Sequence, residues 1–133
     1  MTLEQQVTSL ELSKKLAELG VKQESYFYYR HNEKGKYELC EDEGEFCHHK
    51  IFDDEHWIAA FTVAELGEML PVEILNPPDG SPFWTIKTWK NAQGEWGLAL
   101  DSENRREIAF LGTEADVRAK ILIHLLENKL IIL

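Results

Sequence analysis

The chain has 133 residues, 44% of them hydrophobic and 11% aromatic, which is enough to bury a core and excludes a wholly disordered chain. Its formal net charge of −10, from 24 acidic and 14 basic residues, argues against a protein that follows nucleic-acid phosphates with a basic surface. No apolar run approaches the ~18 residues of a membrane span, and the N-terminus lacks the basic and apolar regions of a signal peptide.

The cysteine count and the excess of acidic residues indicate the cellular compartment and the surface character of the protein. Two cysteines do not form a disulfide framework, so the sequence predicts a protein of the reducing cytoplasm. The negative charge is typical of a well-solvated surface. It also fits a protein that occupies a partner's DNA-binding cleft by imitating phosphate charge, and charge alone does not separate these two interpretations.

The first predicted element is an amphipathic helix over residues 10–19. Ser9 is a suitable N-cap and Gly20 a suitable C-terminal stop. Glu11 and Lys15 stand four residues apart, in the favourable order for an ion pair on the polar side. The leucines recur on the other side, which predicts a helix that packs on a sheet.

Two β-hairpins with the same turn follow along the chain. Both turns read Asn-x-x-Gly, at residues 32–35 and 91–94, a pattern typical of a type I turn whose glycine is left-handed and forms a bulge. In the second hairpin this turn places Ile86 opposite Leu100. The apolar side chains of that hairpin then share one face, as a core-facing sheet requires.

The first hairpin has its own pattern of faces. The turn places Tyr29 opposite Leu39, on an apolar face with Phe27 and Tyr37, while Tyr28 falls on the other face. Aromatic side chains away from the apolar face are candidates for a small-ligand groove, although such residues also pack under helices or loops. The candidates for this groove are Tyr26, Tyr28, Trp57, Trp84 and Trp89.

Between the hairpins, residues 61–71 carry the clearest helix start and stop signals in the sequence. Thr62 and Glu65 have the spacing of a capping box, which predicts the start of a short helix after a strand-like run over residues 57–61. Pro71 ends that helix. Residues 72–75 are a further candidate strand.

The last predicted helix begins at Thr113, which has Asp116 at the capping-box spacing. Between residues 114 and 128 the helix carries two apolar stripes, and residues 130–133 add an apolar tail. Either the tail returns to the sheet, or helix and tail pack on another subunit. The second alternative is the basis for a possible homodimer through the C-terminal helix and tail.

One cluster has the character of metal ligands. Zinc takes thiolate and imidazole ligands tetrahedrally, and the candidate ligands are Cys40, Cys47, His48 and His56. Their spacing departs from that of familiar zinc motifs, and adjacent histidines rarely bind one ion. The alternatives are a loop that merely contains these residues and a metal-dependent hydrolase in which Glu55 or Asp53 is the base.

Four segments resemble a group of small uncharacterised bacterial proteins associated with prophages and other mobile elements. They cover residues 9–16, 19–25, 61–71 and 119–130, and the block Phe-Thr-Val-Ala-Glu-Leu-Gly-Glu-Met-Leu-Pro over residues 61–71 is the most specific. The resemblance implies a cytoplasmic α+β protein from a phage-derived locus and carries over no catalytic residues. The cysteine and histidine loop is not part of the usual pattern of that group, which weighs against a metal site.

The sequence therefore predicts one α+β domain over residues 1–133. An antiparallel sheet of about four to six strands, built from the two hairpins, packs against two longer helices and one short central helix. No nucleophile-elbow, P-loop or dinucleotide motif is present in the sequence. The leading hypothesis is a non-enzymatic protein-interaction module with a protein partner. The alternatives are a zinc module or metal-dependent enzyme centred on residues 40–56, and a small-ligand binder with an aromatic face.

Overall fold

In the computed structural model the chain is described over residues 2–31, 34–41, 57–102 and 105–132. These ranges contain four helices and seven strands. In chain order they are α1 (Leu3–Gln6), α2 (Leu10–Glu18), β1 (Phe27–His31), β2 (Tyr37–Glu41), β3 (Trp57–Ala59), α3 (Val63–Met69), β4 (Glu73–Leu75), β5 (Phe83–Lys90), β6 (Trp96–Asp101), β7 (Arg106–Gly112) and α4 (Glu114–Glu127).

The strands form two antiparallel sheets, so the predicted α+β class is confirmed. One sheet has three strands in the order β2-β1-β3 and the other has four in the order β4-β5-β6-β7. The two predicted hairpins, β1–β2 and β5–β6, therefore lie in separate sheets. The sequence pattern does not reveal strand β7. Ala109 and Leu111 stand beside other apolar residues, so the alternation of apolar and polar residues that marks a strand is missing.

The predicted registers of both hairpins are confirmed. Ile86 pairs with Leu100 in the second hairpin, and Tyr29 pairs with Leu39 in the first. The turn glycine of the second hairpin, Gly94, has φ +84°, which is the left-handed conformation that the bulge requires. Local turn chemistry and side-chain alternation therefore act together to set these strands.

The predicted helix starts are also confirmed. Ser9 is the N-cap of α2, with its side chain accepting from the backbone N–H of Leu12. At α3, Thr62 Oγ1 accepts from Glu65 N at 3.2 Å and Glu65 Oε1 accepts from Thr62 N at 2.9 Å, which completes the capping box. This cap fixes where α3 begins, directly after the buried Phe61.

Helix α4 lies at the centre of the molecule and is buried on two sides. One side joins a core cluster with α2, α3 and β1, through residues such as Ala119 and Leu122. The other side, with Val117, Ile121 and Leu125, joins a cluster on the four-stranded sheet. Both predicted apolar stripes are thus covered within the chain.

The C-terminal tail returns to the core. Leu130 and Ile131 are partly buried against the cluster on the four-stranded sheet, while Ile132 is 96% exposed. The stripes of α4 therefore need no second subunit to cover them, and the homodimer stays a prediction.

α4 has 14 residues, and none of the helices in the described ranges combines the length and apolar character needed to cross a membrane.

A buried polar junction ties the N-terminal segment to the rest of the fold. The hydroxyl oxygens of Thr8 and Ser13, both fully buried, lie 2.6 Å apart. Thr8 Oγ1 also accepts from Phe61 N at 3.1 Å, and Tyr29 donates its hydroxyl to Thr8 O at 2.7 Å. Buried polar groups are costly unless paired, so this network holds α2, β1 and the segment before α3 in one arrangement.

Asp116 makes a second tie, and it differs from the prediction. Thr113 Oγ1 accepts from Asp116 N at 3.2 Å, as a cap does. The Asp116 carboxylate, however, accepts from Ser9 N at 2.8 Å instead of completing a capping box within α4. One carboxylate thereby joins the N-terminal ends of α4 and α2, where negative charge is favourable.

Candidate functional site

A cleft of about 600 Å³ lies where α3 and α4 begin, between the start of β1 and the turn of the β5–β6 hairpin. Five parts of the chain contribute to it: α1, β1, the first turn of α3, the β5–β6 turn and the junction of β7 with α4. The buried ties at Thr8 and Asp116 hold three of these parts together. The cleft is a product of tertiary packing and has walls of fixed structure.

The apolar part of the cleft comes from Phe27, Val63 and Trp96. Phe27 and Trp96 are the first residues of their strands and are half-buried, so each ring is packed on one side and open to the cleft on the other. Lys90 Nζ lies 5.7 Å from the centroid of the Trp96 ring, within the range of a cation–π contact. This wall can take apolar side chains of a ligand.

The polar residues of the cleft lining are three glutamines, the charged residues Lys90, Glu95 and Glu114, and the two N-cap threonines. The side chains of Gln5, Gln6 and Gln93 belong to its lining. Gln5 is held in place because its Oε1 accepts from Thr2 N at 3.0 Å. An amide both donates and accepts hydrogen bonds, so these groups match the main chain of a peptide as well as polar small molecules.

Two helix starts complete the lining. Thr62 and Thr113 are the N-caps of α3 and α4, and each hydroxyl oxygen already accepts a backbone N–H. The next residues, Val63 and Glu114, belong to the lining, and the N–H groups of a first helical turn have no acceptor within the helix. Glu114 also accepts from Arg118 at 3.0 Å, which holds its carboxylate against α4.

A second cavity, of about 450 Å³, adjoins the cleft, and Ala64 belongs to the lining of both. Its other lining residues in the described part of the chain are Glu24, Ser25, Tyr26, Glu65 and Glu68. Adjacent residues of the chain also line the two cavities. Tyr26 belongs to the lining of the second cavity, and Phe27 belongs to the lining of the cleft. We call the two together the α3 groove.

Of the four predicted metal ligands, Cys40 alone lies within the described residues. Cys40 lies on β2 opposite Tyr28, with its Sγ 3.6 Å from Glu38 O. Cys47, His48 and His56 lie outside the described residues. Over the described ranges, no group of three histidine, cysteine or acidic residues has metal-binding geometry. The zinc site therefore stays a prediction, and elemental analysis of chelator-free protein tests it.

The aromatic residues proposed for a ligand groove do not share a surface. Tyr28 is 1% exposed and belongs to the core cluster around α4, and Trp84 belongs to the separate cluster on the four-stranded sheet. Trp89 lies on the other face of that sheet, over Gly97. Of the five residues named, only Tyr26 belongs to the lining of the α3 groove.

The two aromatic residues of the cleft, Phe27 and Trp96, also take part in the packing of their own sheets. Phe27 does pack against the small core cluster of the three-stranded sheet, and Trp96 packs against the cluster of the larger sheet. Both are strand-terminal, however, and a core-facing ring at the end of a strand lies where the sheet stops covering it. Position at a strand end is the sequence signal that identifies them.

The chain matches no protein-family profile, no curated protein and no solved structure. The resemblance to mobile-element proteins rests on four short segments and stays a prediction. A fold by itself does not define function, whereas the geometry and chemistry of the α3 groove restrict the ligands that it can hold.

Proposed function

We propose that the protein is a non-enzymatic binding protein and that the α3 groove holds an extended segment of a partner protein. The observation that carries the proposal is the cleft of about 600 Å³ together with the second cavity that shares Ala64 with it. Two adjoining cavities suit an extended chain, which presents side chains at several points along its length.

The chemistry of the lining supports the same ligand class. Phe27, Val63 and Trp96 offer apolar contacts, and aromatic residues that become buried on binding supply much of the energy of protein recognition. The glutamine amides and the first N–H groups of α4 can pair with the main chain of a bound segment. The described lining of the cleft itself contains neither histidine nor cysteine, and its two threonines cap helices.

The setting of this function is part of the proposal. We place the protein in the cytoplasm and in a prophage or other mobile-element context, on the strength of the sequence resemblance and the cysteine count. In that setting the partner is a protein, and direct binding to nucleic acid is disfavoured by the net charge of −10.

The test is selection from a library of displayed random dodecapeptides with a matched pair of variants. Ala64→Trp places an indole at the junction of the two cavities. Ala109→Trp makes the same change at another exposed alanine, on β7 and outside the groove. Selected peptides should bind the Ala64→Trp variant at least about tenfold more weakly, a loss of about 1.4 kcal/mol.

The Ala109→Trp variant should bind those peptides as the unchanged protein does. Thermal unfolding of both variants confirms that each is folded before affinities are compared. Selection of no peptide, or equal binding by Ala64→Trp and the unchanged protein, would overturn the proposal.

A small-molecule ligand is the second candidate, and the cleft volume favours it. A volume of about 600 Å³ lies within the ~300–1,000 Å³ typical of small-molecule sites. Trp96 is in the cleft lining, and the other three tryptophans are not. A metabolite that binds there should change tryptophan fluorescence, and Trp96→Phe should remove that change; a response that persists in Trp96→Phe would place the ligand elsewhere.

A further inference from the structure

We propose that two copies of this protein associate edge to edge through β7, in an antiparallel arrangement with Phe110 at the two-fold axis. β7 is the last strand in the order β4-β5-β6-β7, so among the described strands it pairs with β6 alone. The other edge of such a strand has main-chain N–H and C=O groups that a further strand can pair. This contact goes beyond the proposed function, because it needs no ligand in the α3 groove.

β7 lacks the features that protect the other sheet edges in the described part of the chain. β3 and β4 have three residues each, and β4 lies between Pro71 and Pro77. β2 has five residues, two of which are glutamates. β7 has seven residues, and its segment from Ile108 to Gly112 has neither charge nor proline. The irregularity in its pairing with β6 lies before that segment, next to Arg106. Short strands, charges, prolines and bulges prevent edge-to-edge pairing, so this segment is open to it.

The alternation of the sheet hydrogen bonds identifies the main-chain groups on the free edge. Asn91 N donates to Glu95 O at 2.9 Å, and along an antiparallel strand the bonds turn to one neighbour and then to the other. The main chain of β6 therefore bonds to β5 at odd-numbered residues and to β7 at even-numbered ones. Even-numbered residues of β6 pair with even-numbered residues of β7 over its regular part. Ala109 and Leu111 thus direct their N–H and C=O groups to the free edge.

A second β7 fits this edge when the two strands are antiparallel about Phe110. Ala109 of each copy then lies opposite Leu111 of the other, and the outward N–H and C=O groups of both residues are paired. The side-chain sizes also match, because Leu111 faces an alanine and Ile108 faces Gly112, while the two Phe110 rings meet. Ile108 and Phe110 already pack on the cluster of the four-stranded sheet, so the apolar inner face becomes continuous. Cross-strand pairs of apolar and aromatic side chains stabilise a sheet.

The charges beside the paired segment are complementary in this arrangement. β7 begins at Arg106, and Glu114 follows shortly after the strand ends. Antiparallel pairing places the start of one β7 beside the end of the other, so the arginine and the glutamate approach each other at both ends of the contact. Arg106 also pairs with Asp101 and Glu114 with Arg118 in the same chain, each at 3.0 Å. The contact therefore leaves no charge unpaired.

Cysteine cross-linking tests the contact and its register, with Cys40→Ser and Cys47→Ser in every protein. In the proposed pairing, Cα of residue 109 lies about 5.5 Å from Cα of residue 111 of the second copy, within the range of a disulfide. Two residues of the same number, 109 or 111, lie diagonally at about 7–8 Å. An oxidised mixture of Ala109→Cys and Leu111→Cys should form a covalent dimer, and each variant alone should form at least about fivefold less.

A proline variant tests the main-chain hydrogen bonds of the edge. Ala109→Pro removes an outward N–H, and an edge strand tolerates proline where its N–H faces solvent. Ala92→Pro is the matched control, because Ala92 is exposed in the β5–β6 turn at a position that favours proline. One strand per copy makes a small contact, so the mass of the unchanged protein in analytical ultracentrifugation should rise with concentration towards twice 15.4 kDa. Ala109→Pro should weaken this association at least about tenfold, and Ala92→Pro by less than about twofold.

The inference is overturned if the mixture cross-links no more than the single variants do, or if the unchanged protein has the mass of one chain at every concentration. Association that Ala109→Pro leaves unchanged would overturn it as well. Thermal unfolding shows whether Ala109→Pro is folded, and if it is not, the cross-linking result decides. The proposed function does not depend on any of these outcomes, since Ala109 and Leu111 line neither cavity of the α3 groove.

Discussion

Strands β1 and β6 are both buried on two faces, but the cover comes from different sources. In β1 the consecutive residues Tyr28 and Tyr29 point to opposite faces, and each enters a separate core cluster formed with other elements. In β6 the inner face packs against α4, whereas the outer face is covered at Gly97 by Trp89 of the neighbouring strand. A strand face with large side chains needs a second layer of structure to bury it. A face with a glycine can be covered by a side chain of the neighbouring strand.

The difference explains which aromatic residues are available to a ligand. Tyr28 and Tyr29 are buried in the core clusters on the two faces of β1. Trp89 packs against Gly97, and the guanidinium of Arg106 lies 4.6 Å from the centroid of the Trp89 ring. Among the described residues, the aromatics that line the α3 groove are Tyr26, just before β1, and the strand-terminal Phe27 and Trp96. The packing of other elements on each strand therefore determines which aromatic residues are left to line the groove.

The largest effect is expected from Tyr28→Ala, which empties a space in the main core. Tyr28 is almost fully buried, and its hydroxyl accepts from Ser25 N at 3.0 Å. Removal of a buried aromatic side chain costs about 3–5 kcal/mol. Urea unfolding measures the loss, with Tyr26→Ala as the control because Tyr26 is exposed. Similar stabilities for the two variants would mean that β1 is not covered on this face.

A smaller effect is expected from Gly97→Ala on the face that the sheet covers by itself. A Cβ at residue 97 would clash with the indole of Trp89, so the indole must move away. Overpacking of this kind costs about 1–3 kcal/mol. In a Trp89→Ala background the same change should cost much less, which a double-mutant cycle measures. An unchanged cost in that background would show that Trp89 is not the cover.

The smallest effect is expected from Tyr29→Phe, which removes one hydroxyl at the other face of β1. The lost hydrogen bond to Thr8 O should cost about 1 kcal/mol at neutral pH. Burial, and secondarily the charges of Asp116 and Glu4, raise the pKa of Tyr29 from 10.0 to about 12. The unfolded chain therefore loses this proton first, and the stability is lost as pH rises from about 10 to about 12.

Unfolding measured between neutral pH and pH 12 tests that dependence. The Tyr29→Phe variant should lose less stability over the alkaline range than the unchanged protein. Tyr26→Phe is the control, because Tyr26 is exposed and its replacement should leave the pH dependence as it is. Identical alkaline profiles for the unchanged protein and Tyr29→Phe would contradict the buried position of this hydroxyl.

Some interactions within the helices were predicted only in part. The sequence pairs Glu11 with Lys15 along α2, whereas in the structure Lys15 Nζ lies 3.2 Å from Glu127 Oε2 of α4. Asp116 likewise caps Ser9 of another helix, 107 residues away along the chain. An exposed charge finds its partner among all neighbours in space, and spacing along one helix supplies only some of them.

The sequence by itself determined the helix caps at Ser9 and Thr62, the two hairpin turns and the registers that follow from them. Those features depend on residues a few positions apart, where turn chemistry and alternation act directly. Only the tertiary structure decided that the hairpins belong to different sheets, that α4 is covered on both sides and that the α3 groove exists. The groove is assembled from five distant parts of the chain, and their packing follows from burial of apolar surface by the whole molecule.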